Sequence, residues 1–310
     1  MTESYCRKSI AEMAGYTPGE QPQDRTYIKL NTNENPYPPS PAVSKALAGM
    51  DPARLKLYPD PVATALRQAA GAPLGFDPDW VLCGNGSDDL LTIAARTFVG
   101  EGEQLACPTP TYSLYPVLAQ LQGAKLVEVE LDNAFELPAD FAARIAGCRL
   151  VFVARPNAPT GNAFPLAAMH QLCESFEGIV WIDEAYADFA DDNCLVFARE
   201  YNNVVVSRTL SKSYSLAGVR LGLAYANPDL VREMVKVKDS YNVNLVSQLL
   251  AIAALGDQQH MARNADRIRA TRRRTSETLE MLGFQVLPSA ANFIFTAPPM
   301  PAADYAAALR

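Results

Sequence analysis

Histidine is nearly missing from this chain: 2 residues in 310, His170 and His260, lie far apart and have no clustered cysteine or carboxylate at ligand spacing. A metal centre is therefore not expected, because zinc and related ions are held by such clusters. Disulfide and redox motifs are lacking too. The 6 cysteines form no C-x-x-C pair, and several sit inside apolar runs, which is the pattern of reduced core residues. No stretch is apolar and long enough to span a bilayer, and none of leader type opens the chain, so a cytoplasmic protein is expected. Positive charge is not in excess either. With 27 basic against 34 acidic residues, the net charge of -7 disfavours nucleic acid or an anionic membrane as the main partner.

What remains is an ordinary globular composition, 49% hydrophobic and 20% charged, long enough for one large core and a smaller second domain. Residues 1–30 are polar and broken by glycine and proline, and read as an arm. Residues 31–41, Asn-Thr-Asn-Glu-Asn-Pro-Tyr-Pro-Pro-Ser-Pro, carry too much proline and asparagine for a helix or central strand. From there strands and helices alternate. Short apolar runs at 81–83, 104–107, 125–129, 150–153, 179–182, 204–207 and 221–225 read as strands, with helices expected at 88–98, 112–121 and 166–174. This rhythm predicts an α/β fold with a mainly parallel sheet flanked by helices, the large domain covering 31–241. Residues 242–310 are expected to form a smaller α+β domain with a long helix at 257–282 and a strand at 292–296. The arginines of that helix are diluted by acids and backed by an apolar side, so they read as a solvated face.

Chemistry concentrates where these strands end. Lys212 lies in Thr-Leu-Ser-Lys-Ser-Tyr-Ser, just past the 204–207 strand, with Arg220 eight residues on. A lysine becomes a nucleophile when burial or a nearby cation disfavours its charged form, which suits Schiff-base chemistry on pyridoxal phosphate. Gly84-Asn85-Gly86-Ser87-Asp88-Asp89 stands between a strand and a helix, where glycines permit close approach and free amides attract an anion. Tyr112 follows another strand and could stack on a flat ring. Asn157 sits in a loop stiffened by Pro156, Pro159 and Gly161. Asp183 ends an apolar strand, where a buried carboxylate needs a partner such as a protonated pyridine nitrogen, and Tyr186 follows three residues later. Each piece alone has a plain structural explanation; their recurrence at successive strand ends is what carries the reading.

With these motifs the chain resembles the fold-type I pyridoxal-phosphate-dependent aminotransferases, and within them the histidinol-phosphate aminotransferases. The resemblance spans 30–41, 58–60, 84–89, 155–161, 183–189, 209–222 and 289–293. It implies Lys212 as the residue that bonds the cofactor and shuttles the proton, and Asp183 as partner of the pyridine nitrogen. Asn157 and Tyr186 would hold the phenolic oxygen, and Tyr112 would stack on the ring. Gly86, Ser87, Asp88, Ser211 and Arg220 would surround the phosphate. Tyr58 would reach a neighbouring subunit's cofactor, implying a homodimer, and Tyr16 and Asn33 would lie near the substrate. The implied reaction passes the amino group of histidinol phosphate to 2-oxoglutarate, giving imidazole-acetol phosphate and glutamate. An aromatic-amino-acid aminotransferase, a related decarboxylase, or a chain that binds the cofactor without turnover are the alternatives. The family's C-terminal segment carries an arginine that grips the substrate anion; this chain ends at Arg310 inside an expected helix, so the smaller domain is expected to be incomplete at its C-terminus. Arg155, before Pro156-Asn157, departs from the small or polar residue that relatives carry there.

Overall fold

The computed structural model describes residues 5–15, 19–20 and 28–309. Seven strands form the central sheet: β1 (Val81–Gly84), β2 (Gln104–Thr109), β3 (Lys125–Glu130), β4 (Leu150–Ala154), β5 (Ile179–Asp183), β6 (Val204–Thr209) and β7 (Gly222–Ala226), in the order β1-β7-β6-β5-β4-β2-β3. The pairs β2/β3, β2/β4, β4/β5 and β5/β6 are parallel, while β7 runs antiparallel to both β1 and β6. Parallel strands covered on both faces must be apolar at every position, and β4 is buried throughout, as is the antiparallel β7 between its two neighbours.

Because successive side chains of a strand point to opposite faces, each strand feeds two cores. Val151, Val153, Val180 and Ile182 join one; Leu150, Phe152 and Trp181 join the other. The helices Ser87–Phe98, Leu114–Gln122 and Pro228–Val237 cover the second face through Leu90, Tyr115, Leu118 and Met234. The first face is covered by Pro41–Ala48, Thr64–Gly71, Leu166–Ser175 and Leu245–Leu255. That last helix lies beyond residue 241, yet its Leu250, Ala251 and Ala254 belong to the core of the sheet.

The long helix Gln258–Met281 leaves the sheet and rests Ala265 and Ile268 on Phe189. Three of its six arginines are engaged, Arg272 donating to the carbonyls of Phe189 and Ala291, Arg269 to that of Asp188, and Arg267 lying over the Tyr37 ring, while Arg263, Arg273 and Arg274 are exposed. A two-stranded hairpin, β8 (Gln285–Val286) with β9 (Thr296–Ala297), and the helix Ala302–Ala308 follow. The strand expected over 292–296 is corrected here. Only its last residue falls in a strand, with the Phe295 carbonyl still accepting from Leu287 N, because Asn292 and Phe293 are drawn into a tight loop: Ser289 Oγ donates to the Phe293 carbonyl and accepts from Ala291 N, and Asn292 Nδ2 donates to the Asn33 carbonyl. Likewise the 112–121 helix starts only at Leu114, leaving Tyr112 in the loop after β2.

Candidate active site

β3 lies outside β2, whereas β4 lies on β2's other side, so the chain changes direction across the sheet between β2 and β4. A crevice opens at the carboxyl edge of such a switch. Here it is a cavity of about 650 Å³, walled by Tyr112 after β2, Asp183 at the end of β5, and Ser211 and Lys212 after β6. Arg220 and the helix start at Ser87 and Asp88 close one side, and Phe293 and Phe295 another.

Lys212 is half-buried, and its Nζ donates to the carbonyl of Thr32 at 2.8 Å. Burial pushes its amine down to about 8; Glu34 and Asp88 oppose this, and Arg220 and Lys29 add to it. Asp183, 4% exposed, accepts from Tyr115 Oη at 3.1 Å and from Ser207 Oγ at 3.3 Å. Ser207 faces it because the two residues are in register across β5 and β6, and Ser207 itself accepts from Trp181 Nε1. Two hydroxyls do not compensate for lost water, and burial holds the Asp183 carboxyl up at about 6. The next residue, Glu184, turns to the opposite face, where its carboxylate binds Arg208 at 2.7 Å.

Glycines shape the end of the cavity that suits an anion. Gly86 has φ 90, and a Cβ there would stand 2.5 Å from the Arg220 guanidinium; one on Gly222 would stand 2.6 Å from Gly86's carbonyl carbon. Only residues without side chains let the turn, the strand and Arg220 meet. Arg220 lies 3.4 Å from Ser211 Oγ and 3.3 Å from Asp88, whose other oxygen accepts from Tyr112 Oη. The helix Ser87–Phe98 begins here, so its first amides and dipole face the same spot.

Of the residues singled out in the sequence, Ser87, Asp88, Tyr112, Asp183, Tyr186, Ser211, Lys212, Arg220 and Asn33 line this one cavity, with Gly86 against Arg220. Asn33 Nδ2 donates to Tyr186 Oη at 3.1 Å. Asn157 is placed differently. It is wholly buried behind the wall, its amide donating to Pro110 O and Thr160 Oγ1 and accepting from Thr111. Tyr58 is 81% exposed, away from this cavity, and stacks on Tyr241 at 4.6 Å. Tyr16 lies outside the described residues. Arg155 is buried, donating to Phe164 O and binding Asp192 at 2.6 Å, so it braces the loop before Asn157 and does not face the cavity. Sequence reasoning missed Thr32, Tyr115, Ser207 and Asn35. A signal existed for two: Ser207 is the first polar residue after the apolar run Val204-Val205-Val206, and Tyr115 is a second tyrosine three residues after Tyr112.

The donor set fits pyridoxal phosphate. A guanidinium, hydroxyls and helix amides meet at one end, and a desolvated carboxylate short of a cationic partner lies at the other, with an amine and two tyrosines between. The model of the class I and II aminotransferases matches residues 25–309. The chain is 48% identical to a histidinol-phosphate aminotransferase of Syntrophotalea carbinolica, covering 94% of this chain and 84% of that one. It is 49% identical to one of Synechocystis sp., covering 98% and 86%. Among solved structures, the histidinol-phosphate aminotransferase of Sinorhizobium meliloti in complex with pyridoxal-5'-phosphate superposes with a TM-score of 0.82 at 26% identity, over 88% of this chain and 76% of that one. Matches of this extent over the sheet and all the strand-end residues place the chain in the class I and II aminotransferase family, among the histidinol-phosphate aminotransferases.

Proposed function

We propose that the chain transfers the amino group of histidinol phosphate to 2-oxoglutarate, with pyridoxal phosphate as cofactor, yielding imidazole-acetol phosphate and glutamate. The observation that carries this is the pairing of Lys212, an amine brought down to about 8, with the buried Asp183 carboxyl in one cavity. When bound, the cofactor supplies a protonated ring that accepts the electron pair left as a substrate proton departs.

The protein's own groups have separable tasks. Asp183 provides the negative charge that keeps the ring nitrogen protonated, and Tyr115 and Ser207 aim it. Arg220, Ser211, Ser87 and the amides at Gly86 to Asp88 hold the phosphate. Tyr112 covers the ring. Tyr186 meets the phenolic oxygen; Asn157 joins it there only by giving up its bond to Pro110 or Thr160. Lys212 would bond the cofactor's carbonyl carbon and, once displaced by the substrate's amine, hold and move the substrate's proton, which requires an amine that gains and loses its charge near neutral pH. Asn33 and Tyr16 are assigned to the substrate's side.

The exposed Tyr58–Tyr241 stack, remote from this chain's cavity, supports a homodimer in which Tyr58 serves the other copy's phosphate; a monomeric mass in sedimentation would count against it. Among the described residues no helix is long and apolar enough to cross a membrane, which is compatible with the cytoplasmic site we assign. We place the division between large and small domain after the Leu245–Leu255 helix, since that helix shares the core of the sheet.

The test of the substrate is a single-turnover spectrum of the protein with its cofactor, given histidinol phosphate and no oxo acid. Loss of the lysine-bound absorbance and gain of the pyridoxamine band is expected. An unchanged band, with conversion by an aromatic amino acid instead, would reassign the donor, and release of carbon dioxide would reassign the reaction.

A further inference from the structure

Lys212 is gripped at both ends by one short segment of the N-terminal strap. Asn35 Nδ2 donates to the main-chain carbonyls of Lys212 and Ser213, at 3.0 and 3.2 Å. Three residues earlier, the Thr32 carbonyl accepts from Lys212 Nζ at 2.8 Å. Asn35 is thus the one described side chain that bonds the main chain of the lysine itself.

The loop that carries Lys212 has need of such a tie. Ser215 and Arg220 hold φ of 60 and 55, conformations that cost free energy for residues with a Cβ and persist only when the surroundings hold them. Other ties exist: Ser213 Oγ donates to Asp188, Ser215 N to the Lys212 carbonyl at 3.2 Å, Tyr214 Oη to Gln258 at 2.9 Å and Ser247 Oγ to the Val219 carbonyl at 2.6 Å. Of these, the bond from Ser215 lies within the loop itself, and none reaches Lys212 from another segment. The strap, for its part, is stiffened from several sides. Lys29 Nζ donates to Thr32 Oγ1 at 2.7 Å, Asn33 reaches Tyr186, and Asn292 Nδ2 donates to the Asn33 carbonyl at 2.9 Å.

We propose that residues 32–35 act as a caliper that sets the reach of the Lys212 amine, with Asn35 as a positioning residue and the Thr32 carbonyl as the rest position of the unbonded amine. This rests on the reading of Lys212 as the residue that bonds the cofactor. An amine on a fixed backbone acts at a high effective concentration toward a neighbouring carbonyl carbon, and that advantage falls when the backbone loosens. Two neutral hydrogen bonds of ordinary strength correspond to about a tenfold change in it.

A competing amine reads this quantity directly. When methylamine displaces the lysine, its nitrogen bonds the carbon that Lys212 Nζ leaves, and the two protons it gives up end on Nζ, with no change of oxidation state. The holoenzyme is titrated with methylamine at fixed pH and the lysine-bound absorbance followed. Asn35→Asp keeps the turn in which Asn35 Oδ1 accepts from Tyr37 N, but removes both donors; Asn35→Ala removes everything without adding charge. Both variants are expected to release the lysine at about tenfold lower methylamine than wild type. Borohydride reduction without methylamine should fix as much cofactor on Lys212 in the variants as in wild type, read by mass. A wild-type midpoint in the Asp variant overturns the caliper, leaving Asn35 a turn residue only. Absence of any borohydride adduct on Lys212 in the wild type overturns the assignment of the lysine instead, and the caliper with it.

Discussion

Asp183→Asn should make the cofactor-free protein more stable while impairing its chemistry. The carboxyl is held between β5, β6 and Tyr115 at the wall of the cavity, and burial lifts it from 3.8 to about 6. A difference of that size corresponds to about 3 kcal/mol. For an acid raised on folding, the unfolded chain gives up its proton first. The folded state is therefore penalised as pH rises above 3.8, and the penalty is complete above about 6. Asparagine has nearly the same shape and carries no charge; Tyr115 and Ser207 bind different oxygens of Asp183, so the amide oxygen accepts from one hydroxyl and the amide nitrogen donates to the other. At pH 7.5 the variant should gain about 3 kcal/mol, or about 5 °C in melting temperature for a chain of this length. By pH 5 the gain should fall to roughly half, because the folded carboxyl is then mostly protonated. Urea or thermal unfolding of the cofactor-free proteins at the two pH values measures this. Added pyridoxal phosphate should reverse the order, stabilising wild type more than the variant, because only the carboxylate can pair with a ring N–H. Equal stability of variant and wild type at both pH values would show that the carboxyl is not strained by burial, and the argument for its cationic partner would fall.

Two further outcomes follow from the same site. The rate at which added pyridoxal phosphate acquires lysine-bound absorbance should rise with pH and level off above about 8, where Lys212 is unprotonated; a rise continuing to the ordinary lysine value of 10.5 would refute the effect of burial. Gly86→Ala places a methyl 2.5 Å from the Arg220 guanidinium in a left-handed turn, and should weaken cofactor binding at least tenfold in equilibrium dialysis, as about 1.4 kcal/mol of displaced contact would. Binding of wild-type strength would show that Arg220 is not held in place by that turn.

Much of this arrangement was legible because it is written in side chains at strand ends. The runs Leu150–Ala154 and Ile179–Asp183 are buried over nearly their whole length, so their apolar character marked them; Asp183, the polar residue that ends the second, lines the cavity, whereas Arg155 after the first and Glu184 after the second turn away from it. The strand ends pointed to where Lys212, Asp183 and Tyr112 lie, and the family resemblance supplied their roles and that of Arg220. What stayed hidden depends on contacts across long sequence distances. The Thr32 carbonyl carries no residue signature, and Asn35 looks like one more polar residue of a proline-rich linker until the lysine loop is folded against it. Asn157 was placed in a rigid loop correctly, but nothing in the sequence indicates that Thr111 and Thr160 engage its amide. The 292–296 segment has the composition of a strand, and is overruled by side-chain bonds from Ser289 and Asn292.

The antiparallel β7 has a consequence for how the chain is made. Among the described residues β1 pairs with no strand but β7, and there Val81 takes its register against Tyr225. At the pace of a ribosome, the intervening stretch of about 140 residues takes on the order of ten seconds to emerge. For that interval a wholly apolar strand and the Leu90–Leu91 face of the following helix have no sheet to cover them. The earliest piece of the sheet to be synthesised is among the last to be secured, and it marks the span in which a nascent chain of this protein most needs a chaperone.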